Sequence, residues 1–559
     1  MQGSVNEEKW ADTSEDSSLR RWAIALGTLA TAAQLYLVWG FGFFPTVDGP
    51  AHVHLAYAMY EALQGDAFYG GLVELNSRFN PNMASQGLLV GLMAIAPPAI
   101  AEKLWLTLYF VTFALAAAYA LHAVNRKSLC LLPLLVFCSL SLPLAFGFYN
   151  FAFSSAVFLG WFGYWWRNRE AFNVRAVLGH LVLAALAYVT HVFAFIATIA
   201  AIAVTGMVSI LVQVRAGQSW SRAFQTHALP PLLGSLPGLL ASGYFLLFRF
   251  GSLTASGASN IQPDVLARIR AFLAGTSFTP YDGAEFIASA ILAPVAVAAA
   301  LVLSRKSGNA ARSLPLAVCF VAFLVLYIAM PHQWIVRWMP PRFQPTVFIV
   351  LLLWLASLVP ASIKLLHWKL AGVSSLLLVL LSLALRIPVF ERLDNYHREY
   401  QSAAPHIEKN SSLVSIRLNN YLNGQPFPAK LDVLIQAGSR IASERHSVDL
   451  KNFQGQGEDH PIQFRPGIGA TRSLGGDGAI ISLSPTIDLL AYERQSGRPI
   501  DYVLLYGFRS AAMNREGLRH LDDQLDRHYR LVFTSTPTGL ATLYARDPGR
   551  DVATDPQER

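Results

Sequence analysis

Residues 45–54 contain one carboxylate and two imidazoles, Asp48, His52 and His54, directly after the first long apolar run of the chain. Ionisable side chains beside the apolar phase of a membrane are costly, and they usually face a cavity that forms a path or a reaction centre. A carboxylate can accept a proton there, and an imidazole can donate a hydrogen bond or carry a proton. The segment therefore predicts a functional centre at the membrane boundary.

The spacing of Asp48 and His52 predicts that the two side chains act together. They are four residues apart, so a helix that starts at Asp48 places both near one face of its first turn, whereas His54 points elsewhere. Two other interpretations stay open: Asp48 can be a helix N-cap with Pro50 in the first turn, and His54 can contact lipid headgroups. Asp and His are also metal ligands, but a metal site here would need a further carboxylate or imidazole.

A second group of polar residues, His332, Arg337 and Arg342, lies within residues 332–343, a segment that also contains Trp334 and Trp338. A guanidinium group matches phosphate oxygens in a fork geometry, and tryptophan is typical of the headgroup region. The group predicts a site for a lipid phosphate. The alternative is that these arginines extend to nearby headgroups without a specific ligand.

Three further candidates are Tyr149, Asn150 and His191, which stand at the ends of apolar runs. The predicted topology places them on the same side of the membrane as Asp48. We predict that they line the substrate site together with His54. Helix packing or capping is the alternative for Asn150 and His191.

The elements that must position these residues are membrane helices. Of the 559 residues, 53% are hydrophobic and only 14% are charged, against about 25% charged in soluble domains. Residues 128–166 and 176–214 contain no charged side chain. Each run would form a helix of roughly 58 Å, about two bilayer crossings. The composition predicts a mainly α, polytopic membrane protein.

We predict about eleven membrane spans. Their approximate bounds are 22–44, 101–123, 129–147, 150–166, 175–190, 192–214, 229–250, 285–304, 313–330, 344–360 and 370–388. With the N-terminus in the cytoplasm, as Arg20 and Arg21 indicate, every strongly basic short loop falls on the cytoplasmic side, as the positive-inside rule requires. The apolar segment 84–97 is too short to span and is predicted to be re-entrant or interfacial.

The polar residues are concentrated near the C-terminus. Residues 391–559 hold 20 basic and 21 acidic side chains, so the net charge of +8 comes from the membrane region. It reflects loop charges and indicates no nucleic-acid partner. We predict a cytoplasmic tail (1–21), a membrane domain (22–390) with an outer loop (45–100), and an extracytoplasmic α/β domain (391–559). Its strands are predicted at 413–417, 502–506, 529–534 and 540–545, and a helix at 514–528.

An acidic residue in the first outer loop, followed by a many-spanned body and a C-terminal outer domain, resembles the GT-C class of membrane glycosyltransferases. Short sequence motifs also resemble those of bacterial members of that class: Asp48-Gly49-Pro50-Ala51-His52, Gly147-Phe148-Tyr149-Asn150-Phe151, Thr190-His191 and Arg342-Phe343.

The resemblance implies an enzyme of the bacterial inner membrane with a polyprenyl-phosphate sugar as donor. The acceptor would be a glycan, a lipid or a protein. Asp48 would act as general base with inversion at the anomeric carbon, and Arg337, Arg342 and His52 would stabilise the leaving phosphate. No cofactor is implied with certainty. Gly49 stands where many members carry a Glu, so a second acid, if one is used, must come from elsewhere.

Two other functions stay open on the sequence. A polymerase or ligase of surface polysaccharide would use the arginines and His191 rather than Asp48. A non-catalytic scaffold or transporter would work with other envelope-assembly proteins. The clustering of polar residues at one face, without internal symmetry, favours the transferase over a transporter.

Overall fold

The structure is a computed structural model. It describes residues 14–76, 80–170, 172–249, 264–281, 286–306, 310–331, 339–360, 362–418, 421–422, 425–426, 431–456, 460–470, 474, 487–509, 512 and 514–551.

The described helices are, in chain order, α1 Ser14–Trp39, α2 Gly49–Leu63, α3 Ala67–Leu72, α4 Ala84–Met93, α5 Pro98–Val124, α6 Leu132–Phe137, α7 Leu142–Ala145, α8 Tyr149–Asn168, α9 Val174–Thr190, α10 Val192–Arg215, α11 Trp220–His227, α12 Leu229–Tyr244, α13 Val265–Leu273, α14 Phe286–Lys306, α15 Ala310–Ala329, α16 Met339–Leu358, α17 Leu365–Gln401, α18 Ala437–Arg445, α19 Leu489–Ser496, α20 Arg515–His528 and α21 Pro548–Asp551.

The described strands are β1 Val73–Leu75, β2 Ser412–Arg417, β3 Tyr421–Leu422, β4 Gln425–Pro426, β5 Val448–Asp449, β6 Ile462–Phe464, β7 Tyr502–Tyr506, β8 Tyr529–Thr534 and β9 Ala541–Arg546. Short 3₁₀ turns occur at Arg126–Leu131, Thr276–Phe278, Ala404–His406 and Phe453–Gln456, and a π-helical turn, Phe245–Arg249, follows α12.

Helices α1 to α17 form a membrane-type bundle. Within the described residues, seven segments are long and apolar enough to cross a bilayer: Ser17–Trp39, Pro98–Val124, Arg126–Ala145, Val192–Arg215, Leu229–Leu247, Met339–Leu358 and Leu365–His406. Leu115 on α5 and Val182 on α9 are about two-thirds exposed, as lipid-facing side chains are. The mainly helical fold is confirmed, but the expected eleven spans are not.

Two predicted spans differ from the structure. The expected helix 129–147 is interrupted between α6 and α7, where Ser139 and Ser141 lie among buried residues and Pro143 starts the next helix. Proline cannot donate the backbone hydrogen bond of a helix interior, so it restarts the helix instead of continuing it. The expected span 370–388 is part of the 37-residue α17, which passes through residue 390 without a break.

The apolar segment 84–97 forms α4, which has only 10 residues. At 1.5 Å per residue it is about 15 Å long, half of the hydrocarbon thickness. Its buried face, which includes Ser85, Gln86 and Leu89, packs on α2, so it is positioned beside the residues that follow Asp48.

The C-terminal region contains a five-stranded mixed sheet with the order β5-β2-β7-β9-β8. Strands β5, β2 and β7 are parallel, and β9 and β8 are antiparallel to their neighbours. The four predicted strands and the predicted helix are confirmed to within a residue. Asn514 caps α20 by accepting from the Gly517 backbone amide.

The outer loop 45–100 is packed on the C-terminal sheet region and is not an independent loop. Strand β1 pairs with β6, with Val73 opposite Phe464. Leu55 of α2 lies in the same apolar cluster as Val414 and Val503. The residues after Asp48 are therefore held between the membrane bundle and the C-terminal region.

Candidate active site

A cavity of about 340 Å³ lies where the outer loop, the helical bundle and the C-terminal region meet. Its described lining residues come from all three: Asp48, His52, Asn82, Phe148, Asn150, Phe151, His191, Val192, Phe193, Ile196, Phe245, Leu246, Arg342, Phe453, Gln454 and His460. Five residues predicted from the sequence, namely Asp48, His52, Asn150, His191 and Arg342, thus share one cavity.

Asp48 is fixed by backbone contacts with the turn between α7 and α8. The Asp48 amide donates to the Phe146 carbonyl at 2.9 Å, and the Val47 amide donates to Ala145 at 3.1 Å. Gly147 has a φ of +78°, and a Cβ there would lie 2.9 Å from the Asp48 backbone nitrogen. Only glycine accommodates both the left-handed backbone and this close approach. The segments around Asp48 and Gly147 thus pack against each other as one structural unit.

The Asp48 carboxylate faces the cavity and does not cap a helix. It precedes α2, yet its side chain makes no capping hydrogen bond. Burial raises the pKa of Asp48 to about 7, although the Arg342 guanidinium opposes the shift. A group with this pKa can take up and release a proton near neutral pH, which is the requirement for a general base.

Arg342 brings a positive charge to the same cavity from the first turn of α16. Its guanidinium carbon lies 3.7 Å from the centre of the Phe148 ring. Its Nε is buried and, among the described residues, has no hydrogen-bond partner. A buried guanidinium with an unused donor is suited to an anionic ligand. The other two candidates of this segment, His332 and Arg337, lie outside the described residues.

The protonation of His52 follows from a hydrogen-bond chain that begins at the backbone. The Asn150 Oδ1 accepts from the Ser85 amide at 2.8 Å, and the Asn150 Nδ2 donates to the Asn82 carbonyl at 2.7 Å. The same Nδ2 donates to Gln86 Oε1 at 3.0 Å, which fixes the orientation of the Gln86 side-chain amide. The Gln86 amide nitrogen therefore faces His52 and donates to its Nδ1 at 2.6 Å.

His52 Nδ1 is therefore the acceptor, and the neutral ring carries its proton on Nε2. Burial, together with neighbouring His460, holds the pKa of His52 well below its usual range. At neutral pH His52 is an uncharged hydrogen-bond donor at the cavity wall.

His191 both caps a helix and lines the cavity. Its Nδ1 accepts from the Phe193 amide at 3.2 Å at the start of α10. Its ring meets the Phe151 ring edge-on, with 4.9 Å between centres. The capping alternative is realised, and the ring still lies in the cavity wall.

Sequence reasoning missed the cavity residues of the C-terminal region. Phe453, Gln454 and His460 complete the wall, and the His460 ring centre is 5.8 Å from that of His52. Burial lowers the pKa of His460 to about 4, so the ring is neutral at pH 7. Nothing in the local sequence around residue 460 relates it to Asp48, about 400 positions earlier.

A second buried acid, Glu102, supports the site from behind. Tyr149 is not a lining residue; it is fully buried, stacks on His52 with 5.6 Å between ring centres, and donates to Glu102 Oε1 at 2.6 Å. Arg440 of α18 donates to the other oxygen of Glu102 at 2.6 Å. Glu102 is a lone acid in the apolar run 98–124, and that isolation was the signal that could have identified it.

His54 lies outside the cavity wall. It is fully buried, its Nε2 is 3.2 Å from the Ser447 carbonyl, and its Nδ1 is 3.2 Å from Asn452 Nδ2. This burial excludes the alternative contact with headgroups, and His54, although predicted to bind substrate, is not among the residues that line the cavity. The structure places His54 in the junction between α2 and the C-terminal region.

The rest of the cavity is apolar. Phe193 and Ile196 of α10 and Phe245 and Leu246 after α12 line one side, so the polar groups face a surface that suits a hydrocarbon. Among the described residues there is no cluster of three or more His, Cys, Asp or Glu that could hold a metal ion.

No family model matches the sequence, and neither does any curated protein. The solved structures that resemble the chain include two of the same protein. One is ArnT from Cupriavidus metallidurans bound to undecaprenyl phosphate, with a TM-score of 0.52, 11% identity, and coverage of 95% of this chain and 99% of that one. The other is the same protein in the apo state, with a TM-score of 0.47 and the same identity and coverage. The chain has the fold of ArnT, a GT-C glycosyltransferase.

Proposed function

We propose that the protein is a membrane glycosyltransferase that moves a sugar from a polyprenyl-phosphate donor to an acceptor hydroxyl. The observation that carries the proposal is the position of Asp48 and Arg342 in one buried cavity. A base and a phosphate-binding group must flank the same anomeric carbon in such a transfer. The ArnT-like fold supports the choice of donor, because the ArnT structure contains undecaprenyl phosphate.

In this proposal the donor phosphate binds at Arg342. Its guanidinium has a buried Nε with no hydrogen-bond partner among the residues that the structure describes, and the His52 Nε2–H supplies a neutral donor at the same cavity. The isoprenoid chain would follow the apolar side of the cavity, where Phe245 and Leu246 lie. A polar head and an apolar tail are thus matched by the two halves of one cavity.

The reaction would be a single displacement with inversion. The acceptor hydroxyl loses its proton to Asp48 while its oxygen forms a bond to the anomeric carbon, and the bond from that carbon to the phosphate oxygen breaks. Polyprenyl phosphate leaves as an anion, so it needs charge stabilisation by Arg342 and His52 rather than protonation. The pKa of about 7 for Asp48 is suited to the role of base.

The acceptor would enter from the side of the C-terminal region. Gln454 and His460 form that wall, and neutral side chains of this type hydrogen-bond to hydroxyl groups. We assign the cavity end of the bundle to the non-cytoplasmic face, because the basic short loops predicted by the sequence lie at the other end. In a bacterium this is the periplasmic side of the inner membrane.

The test compares Asp48→Asn with Arg342→Gln in two measurements. Binding is measured with undecaprenyl phosphate and the purified protein. Transfer is measured as movement of radiolabelled sugar out of the polyprenyl-phosphate pool of bacterial membranes that contain the protein. We expect Asp48→Asn to bind normally and to transfer at least about 100-fold more slowly. Arg342→Gln should lose binding as well.

The matched control is Asp523→Asn, which removes an exposed acid of α20 that does not line the cavity and should leave both measurements unchanged. Unimpaired transfer by Asp48→Asn would refute the base. Equal binding of undecaprenyl phosphate by wild type and Arg342→Gln would refute the assigned phosphate site.

A further inference from the structure

A second, larger cavity runs along the side of the bundle and shares no lining residue with the candidate active site. It is a groove of about 740 Å³ between α1 and α5, closed at its base by the start of α6. Helix α1 ends at Trp39, shortly before Asp48. Groove residues near the start of α1, such as Arg20, therefore lie toward the end of the bundle that is away from Asp48. The groove is separate from the cavity that contains Asp48.

The body of the groove is apolar and lined by small residues. Ala23 and Gly27 of α1 face Ala118 of α5 across it. A Cβ at Gly27 would contact the Leu132 side chain, so the glycine lets α6 approach and form the floor. Along α1 the groove extends from Leu19 to Leu35, about 24 Å at 1.5 Å per residue. That length accommodates an extended acyl chain.

One end of the groove is basic. Arg20, His122 and Arg126 line it together. None of the described lining residues of the groove is acidic. An apolar channel with cations at one end matches an amphiphile with an anionic head.

From this charge and shape we infer that the α1–α5 groove binds one anionic phospholipid. The acyl chain lies between Ala23 and Ala118, and the headgroup phosphate contacts Arg20 and Arg126. A zwitterionic lipid fits the same apolar body, but its ammonium group is repelled by the arginines. The inference does not depend on the proposed transferase activity.

Native mass spectrometry of the purified full-length protein tests this inference. Delipidated protein is incubated with phosphatidylglycerol or with phosphatidylethanolamine of identical acyl chains, and the retained lipid is counted. We expect one phosphatidylglycerol to be retained at concentrations at which phosphatidylethanolamine is lost. Arg20→Gln and Arg126→Gln should each weaken retention about fivefold, as expected for one cation near an anionic headgroup.

Two further variants keep the result interpretable. Ala118→Phe fills the groove but keeps its charges, and it should abolish retention of the tight lipid. Arg175→Gln removes an exposed arginine of α9 that is outside the groove, and it should behave as wild type. Thermal unfolding of every variant separates loss of lipid from loss of fold, and the arginine variants decide the question if Ala118→Phe does not fold.

Three results would overturn the inference. Equal retention of the two lipids would remove the headgroup preference. Unchanged retention in the double variant Arg20→Gln/Arg126→Gln would remove the site. A protein dimer that separates in Ala118→Phe would show that a second copy of the chain, rather than a lipid, occupies the groove.

Discussion

At the scale of single residues, the site depends on charges that are held out of water. Asp48 is 8% exposed, and its carboxylate has no capping contact to stabilise the charged form. The cost of this arrangement appears as the raised pKa of Asp48. In the proposed reaction the same property suits Asp48 to act as the base, so stability and the proposed reactivity are opposed at this residue.

The first prediction concerns stability. The pKa of Asp48 is about 7 in the folded protein and near 3.8 when unfolded, so between these values only the folded state binds the proton. Stability of the wild type therefore falls as pH rises from about 4 to 7. The Asp48→Asn variant has no carboxyl group to titrate at this position, so its stability does not fall in this way. At pH 8 it should be more stable than the wild type by up to about 4 kcal/mol.

Thermal unfolding followed from pH 4 to pH 8 measures this difference. The Asp48→Asn midpoint should exceed that of the wild type at pH 8, and the two should converge near pH 4. Asp523→Asn should follow the wild type throughout. A difference that is independent of pH would mean that the carboxylate is not responsible.

The second prediction concerns the tautomer of His52. In Gln86→Glu the new carboxylate can only accept, so His52 Nδ1 must take the proton and the neutral ring loses its Nε2–H. Loss of one donor to an anionic phosphate should slow transfer about tenfold or more. The apolar variant Gln86→Met cannot impose the opposite tautomer and should be less impaired.

The ¹⁵N chemical shifts of the His52 ring distinguish this mechanism from a packing defect. We expect Nε2 to be protonated in the wild type and Nδ1 in Gln86→Glu. Identical shifts in the two proteins would show that Gln86 does not set the tautomer.

At the scale of elements, the close approach of two turns decides where Asp48 stands. The segment before α2 lies against the turn between α7 and α8, and glycine is required on both sides of the contact. Gly147 has a left-handed backbone, and a Cβ on Gly49 would overlap the Thr46 and Tyr149 hydroxyl groups. The segments Asp48-Gly49 and Gly147-Phe148-Tyr149 therefore contain candidate catalytic residues and also the glycines without which the two turns could not pack together.

The third prediction tests this contact. Gly147→Ala should destabilise the protein by about 1–3 kcal/mol from its positive φ alone, and it should also slow transfer because the Asp48 backbone must move. Gly160→Ala in the middle of α8, where a Cβ meets no atom within 4 Å, should be neutral or stabilise by about 0.5–1 kcal/mol. Thermal unfolding and the transfer assay measure both effects. Equal behaviour of the two variants would contradict the packing argument.

At the scale of the whole molecule, the C-terminal region is joined to the bundle by buried polar contacts. Arg440 of α18 and Glu102 of α5 form an ion pair in which both side chains are less than 10% exposed. Glu102 also accepts from Tyr149, which stacks on His52. One network therefore attaches the C-terminal region and supports the site.

The fourth prediction concerns this pair. Removing one partner leaves a buried charge unpaired, so Glu102→Gln or Arg440→Met should each cost about 3–5 kcal/mol, and the double variant less than the sum. Thermal unfolding and limited proteolysis of the C-terminal region measure the effect. Arg494→Met, which removes the exposed partner of Asp488, should change stability by no more than about 1 kcal/mol. Additive costs would show that the two residues are not coupled.

The sequence alone determined what depends on neighbours along the chain. Apolar runs gave the membrane helices, because burial in lipid requires continuous apolar segments. Alternating and β-branched runs gave the four strands of the C-terminal sheet. The four-residue spacing predicted that Asp48 and His52 share one side of a helix, and unusual polar side chains at the ends of apolar runs identified Arg342 and His191.

Only the tertiary structure decided which of these residues meet. His460 and Gln454 complete the cavity and His54 is excluded from it, yet neither outcome has a local signal. Each results from contacts between residues hundreds of positions apart, whereas periodicity reports only on the nearest turn or strand. The pKa of Asp48 belongs to the same class, because burial and the distance to Arg342 exist only after the chain has folded.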